Sequence, residues 1–105
     1  MADLKGRVLK AGYLSKIGSA KKDTETGKWQ KRYFVLNETG VFYFKTSKKE
    51  ELLGCFPLRK DMKVTMENDA EFVFVLHTKD RDFHLKAPSK QELESWLHFF
   101  NKAAH

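Results

Sequence analysis

The chain has 105 residues, 41% of them hydrophobic, so we expect one domain over residues 1–105 with its core at about 9–104. Its 20 Lys and Arg against 14 Asp and Glu give a formal net charge of +6, which favours a polyanionic partner. The single cysteine excludes an internal disulfide, and neither a signal peptide nor an apolar run of roughly 20 residues is present, so we expect a cytoplasmic protein.

Seven short strands are predicted, because apolar and polar side chains alternate in segments that turn residues separate. In chain order these segments are 12–18, 29–36, 41–46, 52–58, 63–66, 71–78 and 82–87. A polar loop, 19–28, follows the first strand, and Asn37 to Gly40 supplies a hairpin turn between the second and third strands. Seven strands at this spacing predict a mostly β fold, an antiparallel barrel or sandwich.

The last segment of the chain changes to a helical period. Ser89 follows Pro88 and precedes Glu92 by three residues, which is the pattern of a capping box at the start of a helix. Apolar residues then recur on one helical face, at Leu93, Trp96, Leu97, Phe100 and Ala104. We therefore predict one C-terminal α-helix that packs this stripe against one open end of the β-structure.

Two cations share a face with predicted core residues. Phe34 and Leu36 are the core side chains of the second strand, and alternation places Arg32 on their face. Leu14 is the core residue of the first strand, and Lys16 shares its face in the same way. Because burying an unpaired charge is expensive, these two cations must lie at an open rim, pair with an acidic residue or bind an anion.

The positive charge is concentrated around the first loop. Between Lys16 and Arg32 the chain also contains Lys21, Lys22, Lys28 and Lys31, against only Asp23 and Glu25. Either acidic residue could pair with Lys16 or Arg32. Lys31 is predicted to face outward. Each loop lysine taken alone is most simply a solvated side chain, but together they create a field that attracts an anionic membrane surface.

These features together resemble a pleckstrin homology (PH) domain. The resemblance rests on "GYLSKIG", "KWQKRYFVL", "GVFYF" and the helical Trp in "ELESWLHFF", in this order, and covers about 9–103. It implies that the first strand-loop-strand cradles an inositol phosphate headgroup, with Lys16 and Arg32 on its phosphates. Gln30 stands at the middle position of the family's basic motif, where a cation is usual. The resemblance also implies that Tyr43 donates a hydrogen bond to a headgroup phosphate.

The function implied is that of a phosphoinositide-binding module that is recruited reversibly to the cytosolic face of membranes. Lys21, Lys22 and Lys28 would lie towards the bilayer, and the family fold implies that Lys48 and Lys49 in the third turn lie on the same rim. Only Ile17 and Ala20 offer apolar groups near the loop, so we expect mainly electrostatic, salt-sensitive binding. The alternative is a protein-interaction module of the same fold with weak or no lipid binding.

Other classes of function are not favoured by the sequence. The four histidines show no metal-ligand spacing, and no nucleophile and base stand out, so we expect neither a metal, a cofactor nor catalysis. Nucleic-acid binding is disfavoured because the helix balances Lys90 and Lys102 with Glu92 and Glu94. We expect a monomer, and interpret Cys55 as a small residue of the core or sheet.

Overall fold

Seven antiparallel strands form one sheet, and a single α-helix follows them, as the sequence predicts. The computed structural model describes residues 6–17, 29–60, 62–79 and 81–103. The elements are β1 (Val8–Ile17), β2 (Trp29–Asn37), β3 (Gly40–Phe44), β4 (Leu52–Pro57), β5 (Lys63–Asn68), β6 (Val73–His77), β7 (Asp82–Lys86) and α1 (Lys90–Ala103). The strand order across the sheet is β4-β3-β2-β1-β7-β6-β5, so β4 and β5 are its edges.

The turn between β2 and β3 is held by one buried side chain. The Asn37 carboxamide oxygen accepts hydrogen bonds from the Thr39 amide at 2.8 Å, the Thr39 hydroxyl at 2.8 Å and the Gly40 amide at 2.9 Å. Asn and Asp stabilise turns in this way because their short side chains reach backbone groups two or three residues on. The predicted hairpin is therefore present, and its turn fixes the register of the central strands.

The inner face of the sheet carries the main core, and the sheet curls until this face closes on itself. Phe56 of β4 stacks on Phe83 of β7 with ring centroids 4.8 Å apart, although three strands separate β4 from β7 in the sheet. The buried inner cluster of the strands consists of Leu14, Phe34, Leu36, Val41, Tyr43, Phe74, Leu76, Phe83 and Leu85. Alternation of side chains along each strand brings these residues to one side.

The helix covers one end of this inner face. The Ser89 hydroxyl accepts a hydrogen bond from the Glu92 amide at 3.2 Å, so Ser89 caps α1 as predicted. The Glu92 carboxylate lies 3.2 Å from the Lys10 ammonium, which also stands over the Trp96 ring at 5.2 Å from its centroid. Leu93, Trp96 and Phe100 are the buried residues of the helix. They pack against the part of the inner face where Lys10 lies.

Two strands begin two or more residues away from their predicted starts, and β3 begins one residue early, at Gly40. β1 starts at Val8 rather than at 12, because its pairing with β2 continues through a register shift to the end of that strand. β6 starts at Val73 rather than at 71, because Phe72 has a φ of 62° and ends a turn in which the Glu71 amide binds the Asn68 side chain. Because the alternation of apolar residues continues through Phe72, the sequence pattern does not reveal this turn.

A second apolar cluster lies on the outer face and was not predicted. Val35, Phe42 and Phe44 are buried there, with Ala11 and Tyr33 packed against them. Cys55 pairs with Phe42 across β3 and β4, and its side chain is exposed. Cys55 is therefore a sheet residue, as interpreted, and not a core residue.

Gly54 of β4 allows an aromatic ring to lie across the backbone. Gly54 pairs with Tyr43, and a Cβ built at position 54 would overlap the tyrosine ring, at 2.5 Å from Cζ. Gly12, in contrast, would make only ordinary contacts with a Cβ, at 3.6 Å from Glu92 Oε1 and 3.7 Å from the Trp96 ring. Tyr43 can keep its position only while residue 54 lacks a side chain.

We therefore predict that Gly54→Ala lowers the free energy of unfolding by about 1 to 3 kcal/mol, the usual cost of overpacking. Chemical denaturation monitored by circular dichroism would measure the change. Gly12→Ala is the matched control, and we expect it to change stability much less. Equal effects of the two substitutions would contradict the predicted overlap with Tyr43.

Candidate functional site at the open end of the sheet

Three connections meet at the end of the sheet that lies away from the helix. β1 ends at Ile17 opposite Trp29, and residues 18–28 connect these two strands outside the described residues. The antiparallel pairing of Tyr33 with Phe44 and of Lys16 with Leu85 brings the β3–β4 loop, 45–51, and the β6–β7 loop, 78–81, to the same end. We call this the open end of the sheet.

Lys16 lies on the inner face near the open end and is only 7% exposed. It pairs with Gln30 of β2 and Leu85 of β7, and its ammonium stands over the Tyr43 ring, 5.5 Å from the centroid. The apolar stem of a lysine can be buried while its charge is held at an aromatic face. Lys16 is therefore held in a defined position by packing.

Arg32 pairs with Leu14 and is half-buried, on the face that alternation predicts. Its Nη1 donates a hydrogen bond to the Lys31 carbonyl oxygen at 2.8 Å. Since a guanidinium has five N–H groups in a planar fork, this contact positions Arg32 and leaves other donors for an anion.

Tyr43 forms an aromatic floor below Lys16. It is 8% exposed and stacks on Phe34 with ring centroids 5.3 Å apart. Its hydroxyl lies over Gly54, on the β4 side of the open end. The structure thus brings Tyr43 together with Lys16, whereas Gln30 is exposed one strand away from the ring.

The remaining predicted site residues cannot be placed. Lys21, Lys22 and Lys28 lie outside the described residues, as do Asp23 and Glu25, the two acidic candidates for pairing with Lys16 or Arg32. Their roles remain predictions.

Further cations lie around the open end. Lys45, Lys48 and Lys49 are exposed in the β3–β4 loop, which places the last two at the rim as predicted. Arg81 lies over the Phe83 ring, with its guanidinium carbon 4.4 Å from the centroid. The open end therefore presents positive charge from several elements.

The outer face beside the first loop carries an arrangement that sequence reasoning missed. Lys31 does face outward, where its ammonium stands 4.6 Å from the Tyr13 ring centroid. Lys86 stands over Trp29 at 5.7 Å, and its ammonium lies 3.9 Å from the Glu71 carboxylate. Alternation along β1 and β2 places Tyr13 and Lys31 on the same outer face, but their contact depends on the register of the two strands. Lys31 and Lys86 therefore place positive charge beside the open end.

Tyr13 also fixes the β3–β4 loop. Its hydroxyl accepts a hydrogen bond from the Ser47 amide at 2.9 Å. Hydrogen bonding from the Ser47 side chain, then from its backbone amide, together with the positive charge of Lys31, lowers the pKa of Tyr13 below its usual value of 10.0. The loop that borders the open end is thus attached to the sheet.

The described part of the chain contains neither a metal-ligand cluster nor a membrane-spanning helix. There, no three or more His, Cys, Asp or Glu side chains come close enough to hold a metal ion. Nor does the helix, at 14 residues, have the length and apolar character needed to cross a membrane.

Comparison with known protein families gives a match to the family described as PH domain over residues 8–105. The chain belongs to the PH domain family. The family's fold is the one described above, seven antiparallel strands followed by one helix. PH domains are non-catalytic modules.

Similar PH domains occur within much longer proteins. Pleckstrin homology domain-containing family A member 6 from Homo sapiens is 32% identical over 103 residues, which are 92% of this chain and 9% of that protein. Rho GTPase-activating protein 25 from Mus musculus is 30% identical over 110 residues, which are 93% of this chain and 16% of that protein. The chain thus spans less than a fifth of the length of either relative.

Two solved structures of one PH domain contain an inositol phosphate. The C-terminal PH domain of pleckstrin in complex with D-myo-Ins(1,2,3,5,6)P5 has a TM-score of 0.83 and 27% identity, and covers 97% of this chain and 100% of that one. The complex of the same domain with D-myo-Ins(1,2,3,4,5)P5 has a TM-score of 0.77 and 26% identity, and covers 93% and 99%. Both ligands are bound by pleckstrin.

The lowered pKa of Tyr13 gives a test of the loop attachment. We predict that Tyr13 titrates at lower pH in the folded domain than in the chain unfolded by denaturant, and that Ser47→Ala or Lys31→Ala raises its pKa. Because the folded pKa is the lower one, Tyr13 contributes its full stabilisation only above its unfolded pKa. This contribution is lost as the pH falls through the folded pKa, so it is absent at neutral pH.

NMR of the tyrosine ring carbons between about pH 8 and about pH 12 would follow this titration. An unchanged Tyr13 pKa in both variants would show that neither the Ser47 side chain nor Lys31 acts on the phenol.

Proposed function

We propose that this PH domain binds the phosphate groups of inositol phosphate headgroups at its open end, and so attaches reversibly to the cytosolic face of phosphoinositide-containing membranes. The observation that carries the proposal is the position of Lys16, buried in its stem and fixed over Tyr43 at the point where the core meets the open end. The role proposed for the domain is binding and not catalysis.

Preorganisation of the two cations supports this function. Lys16 is held by burial and Arg32 by its hydrogen bond to the Lys31 carbonyl oxygen, so neither loses much side-chain freedom when an anion arrives. Hydrogen bonds between such cations and phosphate oxygens are about twice as strong as neutral ones. Tyr43 would contribute its hydroxyl, and Lys21, Lys22 and Lys28 would add attraction from the first loop.

Gln30 sets the expected strength of binding. It pairs with Lys16 across β1 and β2, so its side chain shares the inner side of the site. A neutral amide can hydrogen-bond a phosphate but adds no charge. We therefore expect an affinity that relies on the surrounding lysines and weakens as salt is raised.

The likeness to the two pleckstrin complexes is a second support. At 27% and 26% identity, with nearly the whole domain aligned, those structures contain inositol pentakisphosphates. The shared ligand chemistry is a ring that carries several phosphates, which matches a site built from separate cations. By the same likeness, a polyphosphorylated headgroup is the expected ligand of this domain.

Titration of the domain with inositol 1,3,4,5-tetrakisphosphate, followed by amide NMR, tests the proposal. We predict shifts at residues 16, 32 and 43 and their strand neighbours. The double variant Lys16→Met plus Arg32→Gln keeps the buried stem of Lys16 but removes both charges. We expect it to lower the affinity by at least about 100-fold, since a hydrogen bond to a charged group contributes about 1.5 to 3 kcal/mol.

The charge-matched control is Lys90→Gln plus Lys102→Gln on the helix, where both lysines are exposed. It should bind the ligand nearly as well as the wild-type domain. Equal losses in the two double variants would indicate general attraction and contradict a site at the open end. A domain that shows no shifts at all would favour the protein-interaction alternative.

A further inference from the structure

Two adjacent leucines at the start of β4 are exposed. Leu52 is 47% exposed and Leu53 is 38% exposed. Among the described residues only Val8 and Met66 are other large hydrophobic side chains of comparable exposure, and neither has an exposed apolar neighbour in the sequence. Contiguous exposed apolar side chains are candidates for a contact surface, whereas singly scattered ones are normal.

The backbone of β4 explains why both leucines are exposed. β4 is an edge strand whose only neighbour is β3, so nothing in the sheet covers its far side. The register shifts between the pairs Tyr43–Gly54 and Phe44–Leu52, which leaves Leu53 as an extra residue in a bulge. A bulge interrupts the alternation of side chains, so neither leucine is directed into the core.

The leucine pair borders the proposed headgroup site. Gly54, the next residue, lies beneath the Tyr43 hydroxyl, and Tyr43 in turn lies beneath the Lys16 ammonium. At about 3.3 Å per residue, Leu52 is only about 7 Å along the strand from Gly54. The pair and the cations therefore lie at the same end of the domain.

The β3–β4 loop holds the pair in place. The Lys49 amide donates to the Thr46 carbonyl oxygen at 3.1 Å, and Lys49 has a φ of 59°, so the loop turns back tightly. The Lys45 amide donates to the Glu51 carbonyl oxygen at 3.4 Å, and the Ser47 amide is bound to Tyr13. The leucines are thus presented from an attached loop.

The charges around the pair favour an anionic bilayer as its partner. Lys45, Lys48 and Lys49 precede the leucines and outnumber Glu50 and Glu51, and all five are exposed. Exposed lysines beside exposed leucines fit the interface of an anionic bilayer, where cations meet the headgroups while apolar side chains enter below them. This arrangement lies at the end of the domain to which the proposed headgroup site points.

We infer that Leu52 and Leu53 insert into the membrane interface when the headgroup site is occupied. The inference rests on the proposed function, and it replaces the expectation of mainly electrostatic attachment with one that also contains an apolar contribution. Attachment should therefore persist in part at salt concentrations that screen the lysines. The partner is the bilayer itself, in addition to a single headgroup.

Vesicle binding by a double variant tests the insertion. The probe is a phosphatidylcholine vesicle that contains phosphatidylserine and phosphatidylinositol 4,5-bisphosphate, and the variant is Leu52→Ser plus Leu53→Ser. We expect its vesicle affinity to fall by on the order of 10-fold or more, because two aliphatic side chains no longer leave water. Its affinity for soluble inositol 1,3,4,5-tetrakisphosphate should stay unchanged.

Val8→Ser is the matched control, since Val8 is 51% exposed and pairs with Asn37 at the opposite end of the sheet. We expect it to bind vesicles like the wild-type domain. If the leucine variant binds vesicles as well as the wild-type domain does, the inference is overturned. This includes the outcome in which the variant changes only the sedimentation of the free domain, which would show that the leucines mediate contact between two copies. Failure of the wild-type domain to bind the soluble headgroup overturns the proposed function separately.

Cys55 provides a second measurement that leaves both leucines in place. It is the single cysteine of the chain, it is exposed, and it lies two residues after Leu53. An environment-sensitive NBD label on Cys55 should shift to the blue on vesicle binding and be quenched by lipids with spin labels near the headgroup. A label on Cys introduced at Val8, with Cys55→Ser, should show neither effect. Absence of both effects at Cys55 while vesicles bind would overturn the inference.

Discussion

The inner face of the sheet has two ends, and α1 covers only one of them. Trp96 and Phe100 seal that end with apolar rings, so the face there is simply core. Lys16 lies four residues beyond Gly12 on β1, about 13 Å along the strand, and here the core ends at Tyr43 and the stem of a lysine. Because α1 covers only one end, the other end can present a charged side chain. An apolar cover there would require an apolar residue in place of Lys16.

Lys16 joins the stability of the domain to its proposed binding. Removing an ammonium from water is unfavourable, and the face of Tyr43 returns about 0.5 to 2 kcal/mol through a cation–π contact. A phosphate at the same point would interact with a charge that is already oriented, so little ordering is left for the binding step. Arg32 is prepared similarly by its contact with a backbone carbonyl oxygen. Folding thus positions Lys16 and Arg32 before any anion binds.

The sequence predicted those features that depend on interactions between residues close together in the chain. The hairpin turn at Asn37, the helix cap at Ser89 and the faces of Lys31 and Arg32 follow from neighbouring residues, and the structure has them. The start of β6 at Val73 depends instead on a left-handed residue that alternation conceals. Exposure of Leu52 was equally beyond the sequence, because it depends on β4 being an edge strand, and strand order is a long-range property. The proposed ligand chemistry came from the family resemblance, because the spacing of cations in this chain indicates an anion but not which one.

The contact between Tyr43 and Gly54 has an evolutionary consequence. Because the ring occupies the volume that a Cβ at position 54 would need, the two positions cannot vary independently. A smaller residue at 43 would permit a side chain at 54, whereas an aromatic residue at 43 requires the glycine. Among related domains these two positions should therefore covary, and a glycine at this point of β4 should mark the members in which an aromatic ring lies beneath the cation of the first strand.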